Sequence, residues 1–236
     1  MLSPENDFSI IIPTLNEHAW VKKTILHTRS LNSTVEIIVA DGGSSDGTVK
    51  IARNLGAKLI ESDCGRGNQC NCGASLASGR ILIFLHADTL LPANAFNLLS
   101  QYFQDERIQI GTFRLAFDQP NPLLHAYCFF TRFDSIFTRF GDQCIVVRKS
   151  FFETLGRFPN WPLFEDVHLL RNARKCTKVV SFPATVETSA RRFLKVGIVK
   201  TQLINGWLIL QYLLGVSPTK LVMQYKTIKN NNLKGQ

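Results

Sequence analysis

Short apolar runs alternate with helix-spaced segments through the first half of this chain, and every run ends in a polar cluster. Phe8–Ile12 is such a run, closed by Pro13, with helical spacing from Glu17 to Arg29 behind it. Val35–Ala40 is β-branched and stops at Asp41-Gly-Gly-Ser-Ser-Asp-Gly, where Asp46 or Ser45 is placed to cap a helix reaching about Leu55. Ala57–Ile60 reads as a third strand, Gly67 to Ala77 as a helix stopped by Gly79, Ile81–Leu85 as a buried strand, and Pro92 to Gln104 as a helix. Strand and helix in alternation with short connections predict an α/β chain. Its Rossmann-like central sheet is mostly parallel, with helices on both faces.

The second half is less regular. Ile108–Phe117 alternates like a strand, and Leu123–Phe140 is aromatic-rich with helical spacing, which puts Arg132 and Arg139 on one face. Such arginines are usually snorkelled charges over packing, though they also suit an anionic ligand. Cys144–Val147 reads as a strand, Phe164–Lys175 as a helix begun by an acidic pair, Val179–Phe182 and Thr185–Thr188 as short strands, and two helices follow. No low-complexity segment precedes Asn230, so residues 1–229 read as one domain with a tail at 230–236.

Charge is unevenly placed. Residues 1–118 carry 10 Lys/Arg against 12 Asp/Glu, and residues 119–236 carry 17 against 6, so a net +9 divides into −2 and +11. That asymmetry calls for an anionic partner on the second half: a diphosphate, an anionic lipid surface or a nucleic acid. The lysines at 220, 226, 229 and 234 read as a solvated basic tail. Six cysteines without a C-x-x-C pair read as reduced thiols of a cytoplasmic protein, and Met1–Asp7 lacks the regions of a secretion signal. Thr201–Thr219 is uncharged but broken by Gln202, Asn205, Gly206, Gln211, Gly215 and Pro218. It suits a helix packed on the domain or lying peripherally on a membrane better than a spanning one.

In an open parallel sheet, ligands bind beyond the carboxyl ends of the strands. Four polar clusters fall at such ends: Pro13-Thr14-Leu15-Asn16-Glu17, Asp41-Gly42-Gly43-Ser44, Cys64-Gly65-Arg66-Gly67-Asn68 and His86-Ala87-Asp88. Turn chemistry explains any one of them alone; four in succession point to a shared ligand. Gly42 and Gly43 let backbone approach a base or ribose, and Asp41 can accept from a base N–H. Arg66 precedes a helix N-terminus and can meet a phosphate, while Asp88 can hold Mg²⁺ or Mn²⁺ against a diphosphate. The chain has neither a Gly-x-Gly-x-x-Gly nor a P-loop pattern.

FSIIIPTLNE, EIIVADGGSSDGT, GRGNQCNCGA, ILIFLHADT and LFEDVHLLRNARK occur in the order found in family 2 glycosyltransferases of GT-A fold. The resemblance runs from about Phe8 to Arg192. It is closest to a small-enzyme subgroup labelled transferase 2, with Gly141-Asp142-Gln143 and Ser189-Ala190-Arg191-Arg192 as its marks. It implies an inverting transfer of sugar from a nucleoside-diphosphate donor, a UDP-sugar, to an acceptor hydroxyl on a small or lipid-linked molecule. By position it implies that Pro13, Thr14, Asn16, Glu17, Asp41, Gly43, Ser44, Arg66, Asn68 and Ala87 form the nucleotide site, within a half ending at 118. Asp88 matches the last carboxylate of the family's Asp-x-Asp metal motif; its first position here is His86, which either ligates the ion or merely caps the strand.

In the acceptor half, 119–192, the pair Glu165-Asp166 resembles the catalytic acidic pair, with Asp166 as general base. A helix N-terminus favours the ionised carboxylate. Arg191 and Arg192 would neutralise the departing diphosphate, and 193–229 would form C-terminal helices. Two rival readings are a sugar-nucleotide nucleotidyltransferase and a non-catalytic nucleotide- or RNA-binding module. The second finds no RNA-binding motif, so no nucleic-acid partner is expected.

Overall fold

The computed structural model describes residues 7–133, 135 and 141–233, with side chains as far as 225. Residues 1–6, Arg139 and the side chains of Lys226, Lys229 and Lys234 therefore lie outside the described residues. In chain order the elements begin β1 (Phe8–Thr14), α1 (His18–Leu31), β2 (Glu36–Asp41), α2 (Thr48–Asn54), β3 (Lys58–Glu61), α3 (Arg66–Leu76) and β4 (Ile81–Phe84). They continue β5 (Thr89–Leu90), α4 (Ala95–Tyr102), β6 (Ile110–Phe117), α5 (Pro122–Phe130), β7 (Ile145–Arg148), α6 (Lys149–Thr154) and α7 (Glu165–Cys176). The chain closes with β8 (Val180–Thr188), α8 (Arg191–Val196), α9 (Ile198–Leu213) and α10 (Pro218–Leu233).

The strands form one sheet in the order β3-β2-β1-β4-β7-β6-β8-β5. The pairs β3–β2, β2–β1, β1–β4 and β6–β8 are parallel; only β7 and β5 run against the rest. Nearly continuous apolar runs give β1, β2 and β4 two buried faces. Ile10, Ile12, Ile37, Val39 and Ile83 pack on one side with Val21 and Ile25 of α1 and Leu99 of α4. Ile11, Ile38, Leu82 and Phe84 pack on the other with Ala74 of α3, Phe152 of α6 and Leu169 of α7. Each fully buried Ile or Leu contributes about 1.5–3 kcal/mol. Helix α3 needs Gly73 to come this close, because a Cβ there would stand 2.5 Å from Ile11 Cγ2.

Several boundaries differ from expectation for local reasons. Strand β1 runs through Pro13 to Thr14, because pairing with β4 has already ended at Ile11–Phe84 and the missing N–H has no partner there to lose. The two short strands expected around Pro183 are one strand, β8, whose register against β6 shifts between Thr112 and Arg114 and so absorbs the proline as a bulge. The helix expected over Leu123–Phe140 stops at Phe130, where Thr131 Oγ1 donates to Cys128 O at 2.7 Å. Gly47, in left-handed conformation, occupies the N-cap of α2, and Asp46 accepts from the first helical amide, Thr48, at 3.1 Å. Three helices rather than two end the chain, and α10 runs past 229 to Leu233. A third apolar cluster joins Phe164 and Val167 to Leu208, Ile209, Tyr212 and Leu221, and so fastens α9 and α10 over the start of α7.

Candidate active site

The carboxyl ends of β1 and β4, the N-termini of α3, α7 and α8, and the inner sides of α9 and α10 enclose a cleft of about 590 Å³. Its floor is knitted by the β1 and β2 loops. Asp41, 3% exposed, accepts from Thr14 Oγ1 at 2.9 Å, Gly43 N at 2.9 Å, Ser44 N at 2.7 Å and Ser44 Oγ at 2.6 Å. Burial pushes the Asp41 carboxyl up, but the donors from Ser44, Thr14 and Gly43 outweigh it and hold the group below its ordinary value. Four donors fill its acceptor sites. Asp41 therefore stands beneath the cleft wall, holding Thr14 in place, rather than facing into the opening.

Asn16, at φ 56°, donates its N–H to Ser44 Oγ at 2.8 Å and accepts from Ser45 N at 2.9 Å, locking the two loops. Gln69 was not anticipated; its Nε2 donates to Thr14 O at 2.6 Å and Ala40 O at 2.9 Å and so pins both strand ends. Pro13, Thr14, Glu17, Arg66, His86, Ala87 and Asp88 line the cleft; Asn16, Asp41, Gly43, Ser44 and Asn68 do not. Asn68 lies on α3 with its amide close to Gly65.

Two charged groupings line the cleft. In one, Arg191 Nη2 donates to Glu17 Oε1 at 2.7 Å and Oε2 at 2.8 Å, and reaches Asp88 Oδ2 at 3.1 Å. Its guanidinium lies 5.3 Å from the Trp20 ring centroid. Burial raises the Asp88 carboxyl and Arg191 opposes that shift. In the other, Arg66 Nε donates to Glu165, its Nη2 lies 3.6 Å from Asp166 Oδ2, and its Nη1 lies 3.4 Å from His86 Nε2. Burial and the facing Arg66 lower His86 to about 3, which keeps the imidazole neutral. Glu165 is 2% exposed; burial raises its carboxyl and Arg66 opposes it.

Asp166 is the second residue of α7, after Glu165 and after Phe164, whose φ of 64° turns the chain into the helix. Its Oδ2 accepts from Gly141 N at 2.6 Å and its Oδ1 from Val167 N at 2.8 Å. A Cβ at Gly141 would stand 2.9 Å from Asp166 Oδ2, so the turn before β7 fits against this carboxylate only as glycine. Arg192 also lines the cleft, on the side of α9 and α10, donating to Asn205 Oδ1 at 3.3 Å with its guanidinium 5.1 Å from the Tyr225 ring centroid. Arg132 lies over Phe129 at 5.3 Å, away from the cleft lining.

Asp142, beside Gly141, is a lining residue that the motif reading passed over as a mere mark of a subgroup. Its Oδ1 is buried and makes no hydrogen bond. Burial, then the nearby Asp166, raise its carboxyl to about 7 against the pull of Arg66 and Arg192. An unfolded Asp titrates near about 3.9. Between those values the folded chain holds the extra proton, so this group's contribution to stability falls as pH rises from about 4 to about 7 and stays low above. Asp142→Asn is expected to unfold at a higher temperature than wild type at pH 8, with the gap narrowing at pH 5. Parallel melts at both pH values check the sign.

Among the described residues no three His, Cys, Asp or Glu side chains converge as a metal cage. A hard ion held by one carboxylate and completed by substrate phosphates needs no such cage. Asp88 is the lining carboxylate at the position such an ion would take, whereas His86 Nε2 faces the donor Arg66 Nη1 at 3.4 Å.

Comparison with known proteins agrees with this architecture. The sequence profile described as Glycosyl transferase family 2 matches residues 9–160, ending before the Glu165-Asp166 pair. A PGL/p-HBAD biosynthesis glycosyltransferase of Mycobacterium tuberculosis is 41% identical over 92 residues, 36% of this chain and 36% of that protein. The chain thus matches about a third of that relative's length. An undecaprenyl-phosphate 4-deoxy-4-formamido-L-arabinose transferase of Pectobacterium atrosepticum is 21% identical over 217 residues, 86% of this chain and 62% of the other. Glucosyl-3-phosphoglycerate synthase from Mycobacterium tuberculosis, solved with Mn²⁺, UDP and glucosyl-3-phosphoglycerate, superposes with a TM-score of 0.58 at 19% identity, covering 85% of this chain and 78% of that one. The chain belongs to glycosyl transferase family 2 and has the GT-A fold.

Proposed function

We propose that the chain transfers a sugar from a nucleoside-diphosphate donor, a UDP-sugar, to an acceptor hydroxyl, with inversion at the anomeric carbon. The observation that carries this reading is the meeting of Glu17, Asp88 and Arg191, from the segments after β1 and β4 and from α8, in one cleft with Arg66, Asp142 and Asp166. The diphosphate would meet the guanidinium groups of Arg191 and Arg66 beside Asp88, in the cleft that Pro13 and Thr14 also line. Asn16, Gly43 and Ser44 shape that wall through the loop, and Ala87 and Asn68 support it. A divalent ion, Mn²⁺ or Mg²⁺, held by Asp88, would supply further neutralisation of charge on the leaving diphosphate, and His86 either joins Asp88 or stays on Arg66 as the cap of the strand end. UDP and Mn²⁺ in the synthase of similar fold support both choices.

Asp166 takes the acceptor hydroxyl's proton as its oxygen bonds to the anomeric carbon. The carbon–oxygen bond to the diphosphate breaks, and its electron pair leaves with the nucleoside diphosphate. Glu165 holds Arg66 in place, and Arg191 meets the charge growing on the leaving group. Arg192, 3.3 Å from Asn205, borders the acceptor side. A second reading is favoured by one observation: both Asp166 oxygens already accept backbone amides, whereas Asp142 Oδ1 has no partner. In that reading Asp142 is the base and Asp166 orders the turn that presents it.

The acceptor reading extends to a lipid-linked acceptor, supported by the undecaprenyl-phosphate transferase among the relatives. The test is to incubate the protein with UDP- and GDP-sugars and Mn²⁺ and to follow nucleoside diphosphate. Its release from a nucleotide sugar supports transfer or slow donor hydrolysis. Pyrophosphate release from a nucleoside triphosphate instead marks a nucleotidyltransferase.

A further inference from the structure

Helix α9 is apolar on both sides. Its inner residues Leu208, Ile209 and Tyr212 pack against Phe164 and Val167. Its outer residues Val199, Leu203, Trp207, Leu210 and Leu214 recur at spacings of four, four, three and four, one stripe of an α-helix that continues into its C-cap. Leu203 is 70% exposed, Trp207 57% and Leu214 76%. A helix with apolar side chains all round needs cover on both sides. The exposure is regional: of fifteen large hydrophobic side chains exposed among the described residues, twelve lie between Leu123 and Met223. Helix α5 packs beside α9 and exposes Phe129 and Phe130, and α8, also against α9, exposes Leu194. Patches of this kind mark interaction sites rather than ordinary surface.

Charge selects the occupant. From Thr188 to the end the sequence holds eight Lys/Arg and no Asp or Glu. Lys195, Lys200 and Lys220 are exposed on α8, α9 and α10. A second copy docked face to face would set these cations against themselves. An anionic bilayer surface would receive both features, the cations at headgroups and Trp207 with its leucines below them. No helix among the described residues is long and apolar enough to cross a membrane, so the contact lies along the surface.

We infer that the outer stripe of α9, flanked by α5 and α8, docks on an anionic lipid surface and sets the cleft mouth at that interface. The same helices form the cleft wall, through Asn205 and Leu208 of α9 and Tyr225 of α10. An acceptor resident in the lipid would enter from that side. Docking stands independently of the transfer reading; only the lipid-side acceptor rests on it.

Flotation of the full chain with vesicles of phosphatidylcholine alone, or enriched in phosphatidylglycerol, tests the inference. The protein is expected to float with the phosphatidylglycerol vesicles and to be released by high salt. The double variant Leu203→Glu/Trp207→Glu, which changes only exposed side chains outside the cleft lining, should bind about tenfold less or weaker. Its melting temperature and its nucleoside-diphosphate release without vesicles should match wild type, which separates lost docking from lost chemistry. Equal flotation of wild type and variant overturns the inference. So does absence of binding to phosphatidylglycerol vesicles, or a wild-type dimer that the double variant converts to monomer.

Discussion

Asp166→Asn is expected to slow sugar transfer by about 10²–10⁴-fold while leaving donor binding within a few-fold of wild type, the loss typical of removing a general base. The substitution keeps size and removes basicity. Both carboxylate oxygens accept backbone N–H groups, from Gly141 and Val167. The amide therefore forfeits one of those bonds as well, at about 1 kcal/mol. A melt recorded beside the kinetics separates that cost from the chemistry. Asp142→Asn is the informative companion. If Asp166 is the base, Asp142→Asn keeps most of the rate; if Asp142 is the base, the larger loss moves to it and the pH profile loses its limb near 7.

Arg66→Ala is expected to destabilise the fold by about 3 kcal/mol, the low end for breaking a buried ion pair from one side. For a chain of this size that is a fall of about 6–12 °C in melting temperature. Arg66 itself reaches solvent, but its partner Glu165 is 2% exposed and would be left without its counter-charge. Glu165 can escape by taking a proton. Its pKa then rises further above the already raised wild-type value, so the variant's deficit should grow as pH rises through that interval and be least in acid. Adding Glu165→Gln to Arg66→Ala should recover part of the loss and flatten that pH dependence. Thermal unfolding at pH 5 and pH 8 reads both effects. A deficit that shrinks with rising pH would show that the pair does not carry the stability assigned to it.

The first half of the fold was legible because its signals are local. Ile10–Ile12, Ile37–Val39 and Ile81–Ile83 are apolar runs whose burial on two faces needs no knowledge of distant partners. Strand β5, only Thr89–Leu90, exists through pairing with Thr188 and Glu187 almost a hundred residues away, and no local pattern announces it. Likewise β8 hides behind Pro183, a residue that ends most strands but here sits in a register shift. In the site, the residue types at Glu17, Arg66, Asp88, Asp166 and Arg191 were readable, and their meeting in one cleft is a product of topology. The surroundings of Asp41 were not. Asp41 looks like a ligand carboxylate in any strand-end motif, and only the donors around it reveal that its acceptor sites are filled. Asp142 was missed because its interest lies in an oxygen left without a partner, which sequence cannot display.

Everything rests on carboxylates from distant strands gathering around one diphosphate. Thermal shift with a UDP-sugar, with and without Mn²⁺, on wild type and Asp88→Ala reads that gathering directly. The account predicts stabilisation of wild type that needs both sugar nucleotide and metal, about 2.7 kcal/mol at a hundredfold excess over Kd, and its loss in Asp88→Ala. Stabilisation that ignores the metal and persists undiminished in Asp88→Ala would contradict it.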